Sequence, residues 1–133
     1  MRLFLSDDAG VRELTDGHQP IIRVAAPDLQ RARRVRARIR SGPEDLAVIL
    51  DVTVAVAGDF RSARSAFDAG DSADDTIRYA GTVDGLVGLL GDIESAGVAD
   101  GVTLIAASDR QDLGRIGRDV LRGLASRDQA RAS

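Results

Sequence analysis

The chain has 133 residues, 44% hydrophobic and 29% charged, with a net charge of −3, which suits one soluble globular domain and excludes a disordered chain. With no cysteine, disulfide scaffolds, thiolate zinc sites and cysteine nucleophiles are excluded, and the one histidine, His18, rules out a two-histidine metal site within a chain. Aromatics at 3%, no tryptophan and an acidic balance argue against nucleic-acid stacking platforms and membrane-interface belts, so neither partner is expected.

Leu3-Phe4-Leu5 reads as a short strand, followed by a helical segment from about Asp8 to Asp16 that Gly17 closes. Pro20 leads into a second apolar run, Ile21 to Ala26. A helix then starts near Pro27-Asp28, with Leu29, Ala32, Val35 and Ile39 as its apolar stripe, and Ser41-Gly42-Pro43 stops it. Leu46 to Ala57 is the strongest strand, apolar on both faces as in a parallel sheet covered by helices. A short helix around Phe60 to Ala69 and an Asp/Ser-rich loop from Gly70 to Asp75 follow. Thr82 fits the N-cap of a helix carrying Val83, Leu86, Val87, Leu90 and Ile93, closed at Gly97. Val102 to Ala106 is the last strand, and Ser108 or Asp109 caps a final helix with Leu113, Ile116, Val120, Leu121 and Leu124 inward. Residues from about Ser126 onward read as a polar tail.

Four strand–helix units with one extra segment imply an α/β fold with a parallel sheet. A (βα)8 TIM-type barrel takes about 31 residues per unit, so four units match half a barrel. A flavodoxin-like doubly wound sheet is the alternative. The expected organisation is one domain over residues 1–126 and a polar tail over 127–133. If strand order followed the chain, Leu3–Leu5 and Val102–Ala106 would be free edges, and the aliphatic residues of Ile21–Ala26 and Leu46–Ala57 would be uncovered on one face. No secretory signal or membrane-length apolar run is present in the sequence, and the expectation is a cytoplasmic protein.

Several stretches in order resemble the C-terminal half of luciferase-like flavin monooxygenases of the nitrilotriacetate and dibenzothiophene-sulfone type. Arg12-Glu13-Leu14-Thr15-Asp16-Gly17-His18 is similar to the helix after that family's fifth strand. Pro27 to Arg33 resembles its next helix start, and Ser41 to Leu46 resembles a shortened form of the loop that follows. Gly81-Thr82-Val83 is similar to a Gly-Thr-Pro helix start, and Ala96-Gly97-Val98-Ala99-Asp100-Gly101-Val102 to the approach to the last strand. Asp112-Leu113 through Val120-Leu121 looks like the closing helix. The resemblance implies a TIM-barrel half related to oxidoreductases that use FMN or a deazaflavin, with the flavin phosphate held by a small, hydroxyl-bearing turn after the fifth strand. In that turn only Ser6 and Gly10 match as degenerate cofactor-binding positions. The remaining pattern departs, with Leu5 for glycine, Asp7 for serine and Val11 for arginine. Two carboxylates, Asp7 and Asp8, would face a phosphate, and like charges at about 4 Å repel by about 4 kcal/mol at an effective dielectric near 20.

The resemblance therefore implies a truncated monooxygenase homologue that is non-catalytic alone and serves as an accessory or interaction subunit, binding no cofactor by itself. The alternative is a flavin-dependent oxidoreductase subunit active only beside a complete partner chain. Either reading expects a homodimer or a related barrel protein as partner. No catalytic or metal-ligating set emerges from the residues. His18 reads as a surface residue at a helix end, and Asp51 as a hydrogen-bonded structural carboxylate. Arg31, Arg33, Arg34, Arg36, Arg38 and Arg40 read as a solvated or salt-bridged helix face, against a background in which all 18 basic residues are arginine. Asp71, Asp74 and Asp75 lack calcium-loop spacing, and Ser62, Ser65 and Ser108 lack a nucleophile-elbow context.

Overall fold

A computed structural model of the chain describes residues 1–58, 61–62, 76–108 and 110–132, the last five by backbone alone. The fold is mixed α/β, a curled sheet with three helices among the described residues. The strands are β1 (Arg2–Asp7), β2 (Gly10–Glu13), β3 (Ile21–Val24), β4 (Ala47–Val56), β5 (Ile77–Gly81) and β6 (Gly101–Ala106). The helices are α1 (Leu29–Arg40), α2 (Val83–Ser95) and α3 (Leu113–Ala132). The expected short helix around Phe60–Ala69 and the loop Gly70–Asp75 fall largely outside the described residues.

The first correction is at the N-terminus, where the segment expected to be helical is a β-hairpin. β1 and β2 pair antiparallel, with Phe4 opposite Glu13 and Asp7 opposite Gly10. Asp7 Oδ1 accepts from the Ala9 backbone N–H at 2.9 Å, and Gly10, at φ 118°, takes the left-handed turn conformation that a side chain would oppose. Four alternating residues then suffice for a strand, whereas a nine-residue helix needs a packed apolar stripe that this segment lacks.

The second correction concerns strand order, which runs β2-β1-β6-β4-β3 with β5 also on β4. The two segments expected as free edges pair with each other in parallel, Leu3 against Val102 and Leu5 against Leu104. The edges are instead β2 on one side and β3 and β5 on the other. β3 lies along the first half of β4 (Val24 beside Leu50), and β5 along its second half (Val52 beside Ile77). β5 has no counterpart among the elements expected from the sequence. At five residues with a mixed burial pattern it carries too little period to be read as a strand.

β4 is central because its two faces feed two cores. Leu50, Val52 and Val54 join Leu3, Leu5, Val102 and Leu104 beneath all three helices, which contribute Ala32, Leu86, Leu90, Ile93, Ile116 and Val120. Ala47 and Ile49 pack with Phe4 on the opposite face. That second face is not the uncovered apolar sheet expected from half a barrel: Phe4, Ile49, Ala55, Asp51 and Thr103 are all buried. Among the described residues only Val11, Ile21 and Leu29 are large exposed hydrophobics.

The caps explain why the helices start where they do. Thr82 Oγ1 accepts from Gly85 N at 3.2 Å, as expected from the sequence. Asp28 caps α1 by accepting from Arg31 N at 2.7 Å, which leaves Pro27 ahead of the helix rather than in its first turn. α3 is capped by Asp112, which accepts from Arg115 N at 3.1 Å, rather than by Ser108 or Asp109. It also continues to Ala132 where a frayed tail was expected from Ser126.

Two ion pairs tie the N-terminal ends of the strands. Arg2 forks onto Glu13 (2.9 and 2.7 Å), reaches the Gln19 carbonyl at 2.6 Å and lies over the Phe4 ring. Asp100 binds Arg36 through Oδ1 (3.2 and 2.9 Å) and the Val48 backbone N–H through Oδ2 (2.8 Å). Gly101 follows because a Cβ there would run into the Arg2 carbonyl and Ile49.

Replacing Asp100 with alanine strands the Arg36 guanidinium and the Val48 N–H, and is expected to cost about 2–3 kcal/mol in urea denaturation, with Asp100→Asn losing less. The Glu13 carboxyl is held down at about 2, chiefly by the hydrogen bonds from Arg2, against burial, with Thr15 and the Gly17 N–H assisting. A carboxyl depressed in the folded state stabilises above its unfolded value near 4.5, and that stabilisation is lost as pH falls towards 2. Acid titration of stability should therefore show a loss of about 1–2 kcal/mol between roughly pH 4.5 and 2, allowing for partial solvent screening, and Glu13→Gln should remove that slope.

Candidate functional site

Parallel strands collect ligand-binding crevices at their C-terminal ends, where loops and helix N-termini meet. Here that rim holds a cleft of about 570 Å³. Val56, Ala57 and Gly58 at the end of β4 form its floor; Thr82, Val83 and Asp84 open α2, and Gln111, Asp112, Arg115, Ile116 and Asp119 come from the start of α3. The local sequence dictates this convergence. Gly81 ends β5 one residue before the Thr82 cap, and the Asp112 cap stands one residue before α3 begins at Leu113.

Each helix N-terminus has one of its first-turn N–H groups taken by its cap side chain. Thr82 and Asp112 each take the N–H three residues on, and their carbonyls accept from Leu86 N and Ile116 N. The Gln111 side-chain oxygen accepts from Val56 N at 2.7 Å, continuing the sheet beyond the register of β6. Tyr79 donates its hydroxyl to the Thr82 carbonyl at 2.7 Å, and burial raises its pKa despite that bond. Among the described residues, the charged groups lining the rim are three carboxylates, Asp84, Asp112 and Asp119, and one guanidinium, Arg115. Helix N-termini attract anions through free N–H groups and partial positive charge; here the Asp112 carboxylate caps α3, and Asp84 stands in the first turn of α2 behind the Thr82 hydroxyl cap.

The residues singled out from the sequence do not converge on this cleft. Ser6 sits on β1, beside Val11 and Ile105 and half-buried, and Gly10 is exposed in the hairpin turn. Neither lines the cleft. His18 is exposed on a second, open groove at the opposite end of the strands, with Gln19, Pro20, Glu44, Asp45 and Leu46. Asp51 is a structural carboxylate, hydrogen-bonded to Arg23 Nε at 2.6 Å. Within the arginine cluster, Arg36 binds Asp100 and Arg40 contacts Asp45 at 3.4 Å, while Arg31, Arg33, Arg34 and Arg38 are exposed. Ser65, Asp71, Asp74 and Asp75 lie outside the described residues. Ser108 Oγ and Thr103 Oγ1 are buried without a hydrogen-bond partner. Among the described residues no group of three His, Asp or Glu side chains could hold a metal ion, and no helix is long and apolar enough to cross a membrane.

The sequence reading missed the cleft because its lining residues are separated by up to 63 positions and share no motif. Only Thr82 carried a signal as a cap residue; Asp112 stood in the sequence only as the start of the stretch resembling a closing helix. The chain matches no family model and no curated protein.

Asp112→Ala is expected to destabilise α3 by about 1 kcal/mol, read as a lowered thermal midpoint, whereas Asp112→Asn retains the cap and most of the stability.

Proposed function

We propose that this chain is a non-catalytic interaction subunit related to the C-terminal half of luciferase-like flavin monooxygenases, its curled sheet being a half-barrel remnant. The observation that carries the reading is the charge of the C-terminal rim. A flavin phosphate is best held by cations and free N–H donors. Among the described residues the rim instead sets three carboxylates against one guanidinium, and each helix start already has one donor taken by its cap. The hairpin at Asp7–Gly10 supports the same conclusion from the other candidate position. Its turn is closed by the Asp7 carboxylate itself, so a phosphate approaching Ser6 and Gly10 would meet Asp7 and Asp8 first.

The strand order departs from that of a barrel, in which consecutive strands are neighbours. A chain with β1 paired to β6 has joined the strands that would otherwise wait for the missing half. That closure favours a stand-alone or homodimeric subunit over one completed by another half-barrel.

Two measurements test the reading. Titration with FMN, or with a deazaflavin cofactor, should show no binding in the micromolar range, and the purified protein should be colourless above 350 nm. A stoichiometric yellow chromophore, or micromolar flavin affinity, overturns the non-catalytic reading and restores the oxidoreductase subunit in its place.

A further inference from the structure

Charge is segregated between two helices of the same layer. α1 carries six arginines and no acid in twelve residues. With the whole chain at −3 and this helix at +6, everything outside it sums to −9. α2 carries Asp84, Asp92 and Glu94 and no base. Both helices cover the same face of the sheet, and Arg36 of α1 reaches the Gly97 carbonyl just beyond the end of α2, so they are neighbours.

The internal pairs do not exhaust these charges. Arg36 and Arg40 are committed to Asp100 and Asp45, and Glu94 takes the Met1 ammonium. Arg31, Arg34 and Arg38 recur at three- and four-residue intervals, so they form one exposed stripe about 10 Å long at 1.5 Å per residue. Like charges at that spacing destabilise an isolated helix, so the stripe works against α1 unless something acidic covers it. Asp84 and Asp92 are exposed, pair with no described arginine, and span about 12 Å of α2.

We propose that this chain forms a two-fold dimer in which the Arg31/Arg34/Arg38 stripe of one copy docks on the Asp84/Asp92 side of α2 in the other, and the reverse. The inference rests on the reading as an interaction subunit and names the surface. A two-fold interface must be self-complementary, and adjacent basic and acidic helices satisfy that in a single contact. Two α1 helices facing each other would set arginine against arginine, so the pairing has to be α1 on α2. A second copy also fits better than a nucleic acid, whose phosphates would be repelled by the −9 of the rest of the chain and would find no aromatic side chain on α1 to stack on. The absence of a large exposed apolar patch among the described residues makes this an electrostatic contact, steered by charge and weakened by salt.

The test uses the full chain in sedimentation velocity at micromolar concentration. The wild type should be a dimer at 20 mM NaCl, with its dissociation constant rising at least tenfold at 500 mM. Arg31→Glu/Arg34→Glu/Arg38→Glu and Asp84→Arg/Asp92→Arg should each be monomeric alone, with unchanged circular dichroism. Mixed in equal amounts they should recombine, because each now supplies the charge the other lost. A wild-type monomer at low salt overturns the proposal, as does failure of two folded variants to recombine. A dimer indifferent to salt and to both variants also overturns it, and places the interface elsewhere while leaving the non-catalytic reading intact. Binding of a 20-bp DNA duplex that is lost with the arginine stripe, in a protein that does not self-associate, overturns it in favour of a phosphate partner.

Discussion

Asp100 is the point where four elements are held to one another. Its backbone N–H donates to Val48 O and its side chain accepts from Val48 N, so it completes the ladder at the start of β4. Its own carbonyl accepts from Arg2 N, which starts β1, and its Oδ1 holds Arg36 in the middle of α1. Burial alone would push this carboxyl up; the hydrogen bonds from Arg36 and Val48 and the nearby Arg36 and Arg40 charges outweigh it, and the pKa falls. A neutral side chain there would leave a partly buried guanidinium without its anion. The order β1-β6-β4 therefore depends on one carboxylate that is charged because the chain surrounds it with donors.

That anchor also separates the two ends of the sheet. At the N-terminal end of the strands, Arg2, Glu13, Arg36 and Asp100 neutralise one another, and their donors are spent on loops and strand starts. At the C-terminal end, the carboxylates of Asp84, Asp112 and Asp119 outnumber Arg115. The fold presents a crevice at the usual place for an α/β ligand site, lined among the described residues by more carboxylates than cations. Position in the fold and charge of the lining are separate determinants, and a site's chemistry has to be argued from the second.

The parts legible in the sequence were those fixed by local rules. Thr82 as a cap, the Leu86/Val87/Leu90/Ile93 stripe, the Ser41-Gly42-Pro43 stop and the two-faced apolar strand β4 all follow from periodicity and capping. The hairpin was missed because Arg12-Glu13-Leu14 suits a helix by propensity, and only the Asp7 turn bond and the Gly10 conformation decide otherwise. Strand order was illegible for a different reason. The pairing of β1 with β6 joins residues about 100 positions apart, and nothing in either strand's own pattern names its neighbour. Asp100 itself stood inside a recognisable stretch, Ala96–Val102, but its partners Arg36 and Val48 are 64 and 52 positions away.

The same distinction explains why the arginines of α1 looked uniform in the sequence and are not. Helical spacing divides them into a set that faces the body of the protein and a set that does not, and only Arg36 and Arg40 find carboxylates. Arg36 is half-buried and donates twice to Asp100 Oδ1, so its charge is part of the fold; Arg31, Arg34 and Arg38 are exposed, and their mutual repulsion works against the helix. One helix thus holds arginines of two kinds. The arginine that anchors α1 to Asp100 also fixes the angle at which the other three are presented, on the same layer as an α2 that carries only acids. Folding and surface charge thus meet on one helix: Ala32 and the Arg36–Asp100 pair hold α1 to the sheet, and its exposed arginines are presented from that position.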